Sequence, residues 1–189
     1  MLRKQGIIQP RDLIRAGLRH ATLRDLAHQG IVERVGRGLY RLAGAKTAEN
    51  VSLAEAAKVS PHGVICLLTA LRFHGITTQL PQRIWMAIGY KARKPKPRTV
   101  QVEVVRFSER ALTEGIETHR IDGVPVHITN PARTVADCFK YRNKIGLDVA
   151  IEALRDSLRD RKAKVNDISK FAKFNRVWRI VRPYIEAIV

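Results

Sequence analysis

The chain has 189 residues, 45% of them apolar, which suits one large domain or two small ones and excludes general disorder. Thirty-five Lys and Arg face seventeen Asp and Glu, giving a formal charge of +18 and a pI near 10.8. Such a charge points to a polyanionic partner, nucleic acid first, with a ribosome-associated or simply soluble basic protein as the plainer alternative.

Only Cys66 and Cys138 occur, each in an apolar run without zinc-ligand spacing, so small buried residues in a reducing compartment are expected. The N-terminus lacks the apolar stretch of a signal peptide, and no window approaches a membrane span. The expectation is a cytoplasmic protein with no membrane contact.

The N-terminal run IIQPRDLIRAGLRHATLRDLAHQGIVERVGRGLYRL reads as a short strand, two short helices and a two-stranded ribbon. Pro10 and Asp12 suit the first turn of a helix with Leu13, Ile14 and Ala16 on its apolar face, and Gly17 stops it. A second helix, about Arg19 to Gln29, places Leu23, Leu26 and Ala27 on a buried stripe, and Gly30 is placed for a left-handed cap. Ile31–Val35 and Leu39–Leu42 flank Gly36-Arg37-Gly38 as a hairpin.

This order is that of a winged helix-turn-helix, in which the second helix enters the major groove and the ribbon tip lies on the backbone beside it. The expected DNA contacts are Arg19, His20, Thr22, Arg24 and His28 from the helix, and Arg34, Arg37 and Arg41 from the wing. Residues 1–45 carry nine basic against three acidic side chains, a net +6 on a small module, although Asp25 lies on the presumed reading face. Similar helix pairs and hairpins also occur in protein-binding modules.

Gly44 to Asn50 is small and polar and reads as a linker, leaving 51–189 as a second, α+β domain. A capping box at Ser52–Glu55 opens a helix through Lys58, and Val64–Leu71 reads as a nearly all-apolar helix closing near His74-Gly75. His62 and His74, at its ends, suit capping or surface roles better than metal ligation. Strands are expected at Arg83–Ile88 and Val100–Phe107, then around the Asp122-Gly123 turn, in a mostly antiparallel sheet.

Between the first two strands, five of the eight residues from Lys91 to Arg98 are basic: Lys91, Arg93, Lys94, Lys96 and Arg98. The run is either a solvated hairpin loop or a second contact for nucleic acid or an acidic partner. C-terminal helices follow. Asn130-Pro131 is an N-cap with Pro at N1, and the helix it opens buries Ala132, Val135, Ala136 and Phe139. Leu147, Ile151, Leu154 and Leu158 form the next stripe, with Arg155, Arg159, Arg161 and Lys162 outside; Asp167 caps the last helical segment, which Pro183 must kink or restart.

The reader run with its RGLYRL ending resembles the N-terminal domain of the AbiE-type (AbiEi) antitoxins, the transcriptional-regulator halves of type IV toxin–antitoxin and abortive-infection (phage-defence) systems. TALRFHGIT, GVPVHITNPARTVADCFKYRNKIGLDVAIEALRDSL and PYIEAIV resemble the C-terminal region of the same family, with NPARTVADCFKY the most specific block. Members carry a further helix ahead of the first strand, where this chain has Met1 to Gln5, which implies a trimmed reader or a start further upstream. The resemblance implies binding to double-stranded DNA of the chain's own promoter, as a dimer or cooperatively. It also implies neutralisation of a nucleotidyltransferase-like toxin by the C-terminal region.

No catalytic role is expected. The sequence has no P-loop, GxSxG, HExxH or paired CxxC, so no catalytic residue, metal or cofactor is assigned. Asp137, Cys138 and His127 can be drawn as a site, but Arg133 and Asp137, four apart, read first as a buried ion pair. Glu103 lacks the carboxylate and lysine companions of a metal-dependent nuclease. A stand-alone DNA- or RNA-binding regulator without a toxin, and less readily such a nuclease, are the rivals.

Overall fold

The structure is a computed structural model that describes residues 21–29, 32–36, 39–42, 51–77, 79, 81–95 and 100–188. The expected first strand and first helix of the reader, the Gly44–Asn50 linker, and Arg19, His20, Arg37, Lys96 and Arg98 lie outside the described residues.

Within the N-terminal part, α1 (Ala21–His28) is followed by an antiparallel pair, β1 (Val32–Gly36) and β2 (Leu39–Leu42). Val32, 2% exposed, packs against Leu26, Ala27 and Tyr40. Leu26 and Ala27 therefore do form the inward stripe expected of this helix, and the hairpin follows it in the expected order.

The larger part is built on a five-stranded sheet: β3 (Val64–Ile65), β4 (Ile84–Gly89), β5 (Val102–Phe107), β6 (Ile116–Ile121) and β7 (Val124–Thr129). Its spatial order is β5-β4-β3-β7-β6. The sheet is mixed rather than mostly antiparallel: β3 pairs antiparallel with β4 and β6 with β7, whereas β3–β7 and β4–β5 are parallel. The parallel β4–β5 pair changes the reading of the basic run. A chain that leaves Gly89 and re-enters at Val102 beside Ile84 must return along the whole strand, roughly 20 Å. It is therefore a crossover, not a hairpin loop.

The Val64–Leu71 run is not one helix. Val64 and Ile65 form the central strand, Cys66 is extended, Leu67 has φ 50°, and α3 (Leu67–Phe73) starts at once. A two-residue central strand is covered on both faces, so it reads as a continuous apolar run that periodicity cannot tell from a buried helix.

Helix α2 (Val51–Val59) begins one residue before Ser52, so Ser52 is not its cap. It lies on one face of the sheet, where Leu53, Ala54 and Ala57 share a cluster with Ile65, Met86, Ile88, Val126 and Ile128. The opposite face carries Val64, Ala87, Val105 and Phe107 against a helical layer. That layer comprises α4 (Pro131–Lys140), the short α5 (Arg142–Ile145), α6 (Leu147–Arg159), α7 (Val165–Phe174) and α8 (Trp178–Ile188).

Asn130 caps α4 as expected: its Oδ1 accepts from the Arg133 amide at 2.8 Å, with Pro131 in the first turn. Asp122 (φ 49°) and Gly123 (φ 77°) make the tight β6–β7 turn. The α6 stripe keeps Leu154 at its centre as expected but is otherwise shifted. Val149, Ala150, Ala153, Leu154 and Ser157 are buried, whereas Leu147 is 38% exposed at the start of the helix, and Ile151 and Leu158 sit at the margin.

Lys164, not Asp167, is the α7 N-cap, and Asp167 sits in the first turn, where its charge suits the dipole. The restart expected from Pro183 falls at Asn175–Val177 instead, and α8 runs through Pro183. The end of α7 is a Schellman motif, with the Val177 amide donating to Ala172 O at 2.8 Å and the Arg176 amide to Lys173 O at 3.0 Å. Arg176 takes the left-handed position (φ 59°), where glycine is the usual occupant.

Candidate functional site

The expected DNA contacts distribute over the described N-terminal elements. Thr22, Arg24 and His28 lie on α1, with His28 exposed in its last turn; Arg34 lies on β1 opposite Tyr40, and Arg41 on β2 opposite Glu33. Gly36 pairs with Leu39 after a register shift beyond Arg34. Such an irregularity increases local twist at the end of a ribbon.

The second basic element begins where β4 ends. Lys91, Arg93 and Lys94 are exposed. An unforeseen residue holds this segment: Arg106 on β5 donates from Nη1 to Gly89 O and Ala92 O, each at 2.6 Å, and more loosely to Tyr90 O at 3.2 Å. The Tyr141 hydroxyl in turn donates to Arg106 O at 2.9 Å, its ring stacks on Phe107, and burial pushes its pKa well up. Arg106 thus spends its cation on the backbone that launches the crossover, while Lys91, Arg93 and Lys94 face solvent.

Beneath this region lies a buried polar knot. Arg133 and Asp137 are both 0% exposed, joined Nε to Oδ1 at 2.9 Å. Arg133 also donates to Glu114 O at 2.8 Å, and its guanidinium lies among the Phe107, Phe171 and Phe174 rings at 5.3, 5.9 and 4.8 Å. Asn175, at the α7 C-cap, donates from Nδ2 to the same Asp137 Oδ1 at 2.6 Å. Burial pushes the Asp137 carboxyl up, and Arg133 and Asn175 pull it back. Asp137 is therefore consumed by structure, as the four-residue spacing suggested.

The alternative Asp137–Cys138–His127 drawing finds no support in these contacts. Cys138 and Cys66 are buried free thiols that burial raises well above their ordinary range, hence unreactive, and His127 Nδ1 is engaged with Thr118 Oγ1 at 2.9 Å. Glu103 pairs with Arg83 at 3.2 Å. His74 donates to Thr129 O at 2.7 Å and burial lowers its pKa, while His62 is exposed. Among the described residues no three His, Cys, Asp or Glu side chains gather as metal ligands, and no helix is long and apolar enough to cross a membrane.

No curated protein matches the chain. Among solved structures, the crystal structure of the RV2827C protein from Mycobacterium tuberculosis is similar, with a TM-score of 0.62 at 14% identity over 88% of this chain. The chain spans 66% of that protein, just under two thirds of its length, and the likeness is one of fold. The segment at residues 2–43, which contains α1, β1 and β2, matches the family model described as transcriptional regulator, AbiEi antitoxin.

Proposed function

We propose that the chain is a DNA-binding transcriptional regulator and antitoxin of a type IV toxin–antitoxin system. In this reading residues 1–45 form a winged helix-turn-helix that reads an operator in the chain's own promoter, and residues 51–189 form the domain that neutralises a nucleotidyltransferase-like toxin. The observation that carries it is the family match over residues 2–43, on a segment whose described part has a helix packed on a two-stranded ribbon. The net charge of +18 supports a polyanionic partner.

In the docked state α1 lies in the major groove with Arg24 and His28 at base edges, and Arg34, Arg37 and Arg41 hold phosphates from the wing. A contact to phosphate carries no sequence information and releases a counterion. Arg37→Ala is therefore expected to weaken binding to every duplex about equally and to flatten the plot of log affinity against log salt by roughly one unit. Fluorescence anisotropy over a salt series checks this, and an unchanged slope removes the wing contact.

A further inference from the structure

A sizeable concavity among the described residues lies away from the reader. It lies in the C-terminal part, above the Arg133–Asp137–Asn175 knot, with a volume of about 870 Å³. That is within the range of small-molecule and cofactor sites, roughly 300–1,000 Å³. Three separate parts of the chain bring cations to it: Arg110 from the 3-10 turn after β5, Lys140 from the end of α4, and Lys170, Lys173 and Arg176 from α7 and its cap. Glu114 is the single carboxylate in the lining.

Among the described residues none of these five cations has a carboxylate within 4 Å. Four lie over aromatic rings instead: Arg110 on Phe174 at 5.1 Å, Lys140 on Tyr141 at 5.9 Å, Lys170 on Phe171 at 5.7 Å and Lys173 on Trp178 at 5.5 Å. The α7 dipole accounts for Lys173 and Arg176 near a helix C-terminus. It does not account for Arg110 and Lys140 converging on the same cleft from other elements. Like charges around a concavity repel, and an anion between them relieves that repulsion.

Two further features narrow the ligand. Tyr90 stands at the rim, 70% exposed, with its backbone held by the Arg106 clamp, and so offers a ring face beside the cations. An exposed ring of this kind is a stacking platform for a base. Asn175, 6% exposed, lines the cleft, and its Oδ1 is buried without a hydrogen-bond partner among the described residues. A buried unpartnered acceptor is costly unless a donor arrives.

We infer that this cleft binds a nucleotide, its phosphates held by Lys140, Lys173 and their neighbours and its base stacked on Tyr90. The nucleotide is either free or part of an RNA strand; the recognising chemistry is the same. Binding here is independent of operator reading, since the lining residues all lie between Tyr90 and Arg176.

The test is calorimetric titration of the full chain, in moderate salt, with ATP, with inorganic triphosphate and with a single-stranded RNA tetranucleotide. The variants are Lys140→Ala/Lys173→Ala, Tyr90→Ala and, as a control off the cleft, Lys91→Ala/Lys94→Ala. All these side chains are exposed, so the fold is retained.

The expected result is saturable one-to-one binding of ATP that falls at least tenfold in Lys140→Ala/Lys173→Ala and stays within twofold in the control. Tyr90→Ala is expected to weaken ATP severalfold and triphosphate little, since only the base meets the ring. RNA that displaces ATP and binds more tightly identifies a strand as occupant, and ATP that RNA does not displace identifies a free nucleotide; either supports the site. Uptake that is non-saturating, or equal in the Lys140→Ala/Lys173→Ala variant and the control, overturns it.

Discussion

Asp137→Ala is expected to lower the stability of the C-terminal part by about 3–5 kcal/mol, the largest loss foreseen for any single side chain here. The physical reason is what remains. Arg133 stays in place at 0% exposure with its charge unopposed, and Asn175 loses the carboxylate it donates to at 2.6 Å. Most of the loss is thus the desolvation of a stranded guanidinium, not the intrinsic worth of the pair. Arg133→Met/Asp137→Leu, which removes both charges, is expected to cost clearly less than the sum of the two single changes, because neither charge is left alone. Urea denaturation followed by far-ultraviolet circular dichroism reads both. A loss below about 1 kcal/mol for Asp137→Ala contradicts the assignment of the pair as a buried ion pair.

Gly115→Ala is expected to cost about 2–5 kcal/mol, from two sources that add. Gly115 has φ +65°, which an alanine adopts only at a cost of roughly 1–2 kcal/mol. A Cβ there would also stand 2.7 Å from Phe171 Cε1 and Cζ and 3.1 Å from Arg133 Cβ. Phe171 is 7% exposed and packs beside the Arg133 guanidinium, so it has little room to retreat. Overpacking of that kind costs typically about 1–3 kcal/mol. Gly75→Ala is the matched control, since Gly75 has φ +64° but nothing within 4 Å of the added Cβ. It is expected to show the backbone part alone. Equal losses at the two positions would mean that the Phe171 contact contributes nothing.

The parts of this fold that were legible in the sequence are those whose determinants are local. Asn130-Pro131 announced the start of α4, because an N-cap and its proline act within one turn. Arg133 and Asp137 could be paired from their spacing, since residues four apart share a helix face. The Asp122-Gly123 turn was readable for the same reason: both residues take positive φ, and their types permit it.

What escaped was set by distant partners. Whether β4 and β5 run parallel depends on where the chain re-enters the sheet, which no period reports. Val64 and Ile65 looked helical because burial on both faces erases the alternation that marks a strand. Nothing local in the Val100–Phe107 run marks Arg106, whose guanidinium is set on the backbone at Gly89 and Ala92 by the pairing of distant strands. The cleft was invisible for a like reason, since its cations come from separate elements and each alone reads as a solvated charge. Of the expected DNA contacts, the helix and ribbon that would carry Arg24, His28, Arg34 and Arg41 are present in the expected order.

The most direct test of the proposed role is a titration of the full chain against its own upstream DNA and against a scrambled duplex of equal length, at two salt concentrations. A sequence-reading regulator is expected to prefer the native fragment by at least about a thousandfold, and to keep that preference when salt weakens both. Equal binding to the two duplexes, lost together as salt rises, would contradict operator reading and reduce the +18 charge to non-specific attraction for phosphate.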